Sequence, residues 1–143
     1  QVQTPPSITF EDNQYLIEDL SDRSKLYVSD LARTSMEYNE LFRTYNQTLT
    51  LTNTYTTGLK AEVEKVGLPE KDDDSESSIT IDDKSYDGTD LPDSVKAYIS
   101  ELVRVNNSKS TIEFRLRQLD AAKSSYISSL KEDIQNNETQ TYD

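Results

Sequence analysis

Two stretches of the chain carry apolar residues at alternating steps of three and four. The first runs through Val28, Leu31, Tyr38, Leu41, Tyr45, Tyr55, Leu59 and Val63, the second through Val95, Ile99, Leu102, Ile112, Leu116, Leu119, Tyr126, Leu130 and Ile134. That spacing lines one face of a helix and predicts two long amphipathic helices. Polar or small residues fill the gaps, notably Ser35 and Asn106, and Tyr38 and Lys109; a polar layer in such a seam sets register more often than chemistry. Ahead of each stripe the pattern shortens. Ile8-Thr9-Phe10, a turn-like Glu11 to Gln14, and Tyr15-Leu16-Ile17 read as a small β-hairpin, as do Ile79-Thr80-Ile81, Asp82 to Ser85, and Tyr86. Two strands alone are barely stable, so each hairpin must lean on a helix or on another strand.

The two halves are copies. Ser7 to Val63 aligns without a gap on Ser78 to Ile134, an offset of 71, and 17 of the 57 positions are identical, where unrelated chains share roughly three or four. The duplication settles one ambiguity. Thr48 to Tyr55 alternates with period two and is rich in β-branched residues, which alone would indicate a strand. It aligns with the Ala-containing, helix-patterned Leu119 to Tyr126, and is therefore read as helix.

Boundary residues agree with the stripes. Ser21 is placed to cap the first helix, and in the second copy Asp90 is a cap candidate with Pro92 in the first turn. Gly67 followed by Pro69 ends the first helix near Lys65, giving a rod of about 65 Å from Asp22. The organisation expected is an arm at 1–6, repeat 1 at 7–64, an acidic flexible linker at 65–78, repeat 2 at 79–134 and a frayed polar tail at 135–143. The linker reaches at most roughly 46 Å, too short for parallel rods in one chain. The fold expected is mainly α: two hairpin-plus-long-helix repeats whose helices pair antiparallel, coiled-coil-like, within the chain or through a homo-oligomer.

Composition narrows the chemistry. With 33% hydrophobic residues and a mean hydropathy of -0.80 in 143 residues, the core must be a thin seam. Cysteine and histidine are both absent, which removes thiolate and imidazole metal sites and the usual nucleophile-base pairs. No apolar run approaches a membrane span and no signal peptide is visible, so a soluble chain is expected. The start at Gln1, not Met, is read as a hint of proteolytic maturation. Net charge is -12. The aligned repeats hold 19 of the 27 acids and 13 of the 15 bases, so 8 acids and 2 bases, half the excess, lie elsewhere. That distribution fits solvating connectors and offers no basic patch for nucleic acid.

Few motifs rise above structure. Asp83 to Gly88 resembles the start of a calcium loop, but position twelve is Ser94 and the first copy lacks the pattern, so a turn is the stronger reading. Asp19 and Asp22, repeated as Asp90 and Asp93, stand where helix starts favour negative charge. No catalytic, cofactor-binding or metal residues are assigned. The tyrosines are the candidate interface: Tyr15 and Tyr86, Tyr27 and Tyr98 as equivalent pairs, with Tyr38 and Tyr45. Packing of hairpin on helix is favoured over docking for them.

The pattern Ile8-Thr9-Phe10, Tyr15, Asp19-Leu20-Ser21-Asp22, then Tyr55, Leu59 and Lys60 resembles a family of small uncharacterised proteins of cyanobacteria and their phages. Ile79-Thr80-Ile81, Tyr86, Asp90, Leu91, Asp93, Tyr126, Leu130 and Lys131 match it a second time. This chain departs in its hairpin turns, which lack Gly, and in its Thr-rich mid-helix. The resemblance implies a phage or cyanobacterial setting and supplies neither an activity nor site residues to carry over. The expected function is a non-enzymatic structural or interaction protein, an accessory component of a phage particle with virion proteins as partners. The alternative is an acidic phage protein that inhibits a host enzyme, placing it in the host cytoplasm.

Overall fold

The computed structural model describes residues 6–71 and 76–141, with side chains through Asn137. Its elements are β1 (Ser7–Phe10), β2 (Asn13–Leu16), a 3-10 turn (Ile17–Asp19), α1 (Asp22–Val66), β3 (Ser78–Ile81), β4 (Lys84–Asp87) and α2 (Asp93–Thr141). The chain is mainly helical, its two long helices pack together, and a two-stranded antiparallel hairpin precedes each. It divides into two compact units: unit 1 combines the N-terminal part with residues 114–143, and unit 2 is the continuous span 43–113.

Each hairpin has a two-residue turn in the left-handed region, Glu11 and Asp12 at φ 48° and 65°, Asp82 and Asp83 at 50° and 67°. This is the turn whose twist matches a hairpin, here made without glycine. Ser21 caps α1 as expected, its Oγ accepting the Ser24 N–H at 3.0 Å. The second start differs: Asp90 is itself left-handed at φ 56°, and the Pro92 carbonyl takes the first helical bonds, from Val95 and Lys96. Asp90 therefore belongs to the turn before the helix, and Pro92 stands just outside the first turn. Gly67, at φ 66°, closes α1 in a Schellman arrangement, donating to Glu64 while Leu68 donates to Val63.

The Thr-rich stretch is helical. Thr48, Thr50, Thr52 and Thr54 each donate their hydroxyl to the carbonyl four residues back, at 2.9, 3.2, 2.9 and 3.0 Å. The side chains that favour a strand are thus absorbed by the helix's own backbone.

Two boundaries move. α2 continues past Ile134 to Thr141, because Gln135 to Thr141 contains no glycine or proline and the Asn137 amide reaches back to Asp133 at 3.3 Å. The first part of the linker is also structured. Leu68 packs on the core of unit 2, and Pro69 to Lys71 lies antiparallel along β4, with Lys71 N–H bonded to Ser85 and Asp87 N–H to Pro69. The acidic residues Asp72–Asp74 and the arm before Pro6 lie outside the described residues.

In unit 2 the core is Leu59, Val63 and Val95, ringed by Leu68, Ile81, Tyr86, Leu91, Tyr98, Ile99 and Leu102. Each buried aliphatic side chain contributes about 1.5–3 kcal/mol. Burial follows the repeat. Leu59, Val63, Val95 and Thr48 in unit 2 are matched, 71 positions away, by Leu130, Ile134, Ser24 and Leu119 in unit 1, all buried. None of the stripe residues named from sequence is exposed, but Asn106 is, and Val105 takes the inward place. A valine one residue away fits the seam better than an amide whose hydrogen bonds would be lost there.

Candidate functional site

Unit 1 holds a polar clasp. Ser21, while capping α1, donates its hydroxyl to Asp133 Oδ2 of α2 at 2.5 Å, and the fully buried Ser24 donates to the same oxygen at 2.5 Å. These two hydroxyls hold the Asp133 carboxyl below its ordinary pKa against the opposing effect of burial, with Arg23 and Asn137 assisting. In unit 2 the equivalents of Ser21, Ser24 and Asp133 are Pro92, Val95 and Glu62, so the carboxylate has a counterpart there but the two hydroxyl donors are replaced by apolar side chains. Nothing in the clasp resembles a nucleophile-base pair: both hydroxyls donate to a carboxylate, and no imidazole exists to take a proton.

The hairpins are fastened alike. Lys131 of α2 meets Glu11 of the first turn at 2.7 Å in unit 1, and Lys60 of α1 meets Asp82 of the second turn at 2.8 Å in unit 2. The two pairs are related by the offset of 71. Ser21 meets Asp133 while Glu37 meets Arg115 at 2.9 Å, and Gly58 lies against Tyr98 while Leu59 and Val63 pack with Val95.

Among the described residues a groove of about 760 Å³, open to solvent, lies in unit 2. Thr44, Thr48, Leu51 and Tyr55 of α1 line it with Arg104, Val105, Ser108 and Ile112 of α2. Short hydroxyl side chains leave the space unfilled. Its charged members, Glu101 and Arg104, sit 3.6 Å apart on the same helix and satisfy one another. The groove can receive an apolar side chain, but it gathers no set of acid and base groups.

No family model, curated protein or solved structure matches the chain. The site residues therefore stand on geometry. Tyr15, Tyr27, Tyr38, Tyr45, Tyr86 and Tyr98 are all half-buried. Tyr86 and Tyr98 pack on the unit 2 core, and the Tyr98 ring occupies the space a Cβ at Gly58 would need, 2.5 Å from it. Tyr27 lines a shallow recess with Ser129, the residue equivalent to Gly58, and with Asp133. Tyr38 stacks on Phe42 with ring centres 6.3 Å apart and carries the Lys123 ammonium 5.0 Å from its centre. Tyr86 and Tyr98 thus take part in core packing, and all six rings remain partly exposed.

The calcium-like segment is strand, not loop. Asp83 lies in the turn, and Asp87 accepts from the Thr89 N–H at 3.0 Å and from its hydroxyl, contacts that hold its carboxyl below the ordinary range. Among the described residues no cluster of three acidic side chains could hold a metal, and no helix is long and apolar enough to cross a membrane. Sequence reasoning missed Ser24, Asp133 and Gly58. The first two are substitutions that exist in one copy only, and the signal for Gly58 was a lone glycine beside the stripe residue Leu59.

Proposed function

We propose that the protein is a non-enzymatic interaction protein, a tandem pair of hairpin-plus-helix repeats whose helices pair antiparallel like a short coiled coil, and that it serves as an accessory component of a phage particle. The observation that carries the structural part is the recurrence, at an offset of 71, of both the buried set and the hairpin ion pair. One packing solution used twice presents two pseudo-equivalent hairpins, which suits docking on two equivalent sites of a larger assembly. Exposed apolar side chains at Leu26, Met36, Val103 and Phe114 supply contact area for protein partners or a second copy. The phage setting rests on the family resemblance of the two Ile-Thr hairpins and their helix starts.

Mass spectrometry of purified particles tests the reading: peptides of this chain should be present in stoichiometric amount. The acidity of the chain, net -12, favours a second reading, an inhibitor that binds a host enzyme in the cytoplasm. Absence from particles, together with co-purification with one host enzyme, would replace the first reading by the second.

A further inference from the structure

The two hairpins differ at one edge. In unit 2 the outer side of β4 is covered by Pro69 to Lys71, which bonds to the Ser85 carbonyl (2.9 Å) and the Asp87 N–H (3.1 Å). Ser85 is consequently buried. The equivalent groups of β2 are the Gln14 carbonyl and the Leu16 N–H, and among the described residues no segment pairs with them. Gln14, unlike Ser85, is exposed. An uncovered strand edge presents backbone groups already spaced for another strand.

We infer that the outer edge of β2 is a docking site for an extended segment of a partner polypeptide, running antiparallel to β2 as Pro69 to Lys71 runs along β4. This deepens the interaction-protein reading and rests on it. The structure also sets the chemistry of the incoming strand. Lys71 is held in unit 2 by the Ser77 hydroxyl at 2.6 Å and the Asp87 carboxylate at 3.7 Å. Those two positions in unit 1 are Pro6 and Leu16, which offer a lysine nothing and an aliphatic side chain a surface. The site therefore takes a strand with an apolar residue where Lys71 stands. Proline is accepted two residues earlier, because at Pro69 only the carbonyl is used.

Amide hydrogen exchange followed by NMR on the full chain tests this. The Leu16 amide should exchange about tenfold or more faster than the Asp87 amide, whose partner is in place. Inserting the segment Val66–Glu76, carrying Lys71→Leu, ahead of Pro6 supplies the strand at the spacing of unit 2. Leu16 should then become protected to the level of Asp87, and the same insert with Lys71 kept should protect it less. Equal protection of Leu16 and Asp87 in the original chain would mean that the edge is already covered, and would overturn the inference. So would an insert that leaves Leu16 unchanged, or protection that rises with protein concentration, which would make the occupant a second copy. Detection of the chain in particles does not depend on any of these outcomes, so the two proposals fail separately.

Discussion

At the scale of single residues, Asp133 and Gly58 carry the clearest consequences. Asp133 has its pKa depressed in the folded state, so its contribution to stability is present at neutral pH and is lost as the pH falls through and below the ordinary carboxylate range. Acid should accordingly loosen unit 1 around Ser21 and Ser24 before it loosens the apolar counterpart at Val95, measurable as earlier loss of amide protection at Ser24. Asp133→Ala leaves the buried Ser24 hydroxyl without its acceptor and should cost about 1–3 kcal/mol in urea unfolding at pH 7. Gly58→Ala presents opposed effects. Helix propensity favours alanine by about 1 kcal/mol, but the new Cβ meets the Tyr98 ring, which packs on the core, at 2.5 Å. The clash should win, with a net loss of about 1–2 kcal/mol, and adding Tyr98→Ala should remove the steric part of that loss, seen as a coupling between the two substitutions.

At the scale of elements, the hairpin turns and the threonine run hold stability in reserve. Asp12 and Asp83 sit in the left-handed region where glycine carries no steric penalty. Asp12→Gly or Asp83→Gly should each raise stability by about 0.5–1 kcal/mol, read from thermal unfolding. Thr50→Ala and Thr54→Ala, both exposed, should add about 0.5 kcal/mol each by raising helix propensity. The elements themselves were legible in the sequence because periodicity and duplication reinforce one another: the stripes, the Ser21 cap and the Gly67 stop all lie where the pattern places them. What escaped was set by tertiary partners. Asp90 looks like a cap until Leu91 must turn into the core, and Pro69 to Lys71 looks like linker until β4 offers it an edge. Ser24 and Asp133 form a pair across 109 residues that neither copy announces alone.

At the scale of the molecule, charge and surface decide the balance. The ion pairs among the described residues involve partly or well exposed side chains, and such pairs contribute about 0–1 kcal/mol each. Against them stands the self-repulsion of a net charge of -12. Repulsion should dominate at low ionic strength, so the unfolding temperature should rise when salt is increased from about 10 to 150 mM, a range over which the screening length falls from roughly 30 to 8 Å. A fall over that range would show that the pairs outweigh the net charge.

The two units also differ in how the chain reaches them. Unit 2 is one continuous span, 43–113, and its hairpin is fastened by residues 22 positions apart, Lys60 and Asp82. Unit 1 joins both ends of the chain, and its hairpin waits for Lys131, 120 positions beyond Glu11. Closing the longer loop costs roughly 1.5 kcal/mol more in chain entropy. On a ribosome, unit 2 can assemble while the first hairpin still lacks the helix it leans on. Until Lys131 emerges, the partner for that hairpin can come only from another molecule, so synthesis order itself exposes nascent chains to exchange of their C-terminal helices. Pulse-labelling during refolding should find the amides of 43–113 protected ahead of those of 6–42.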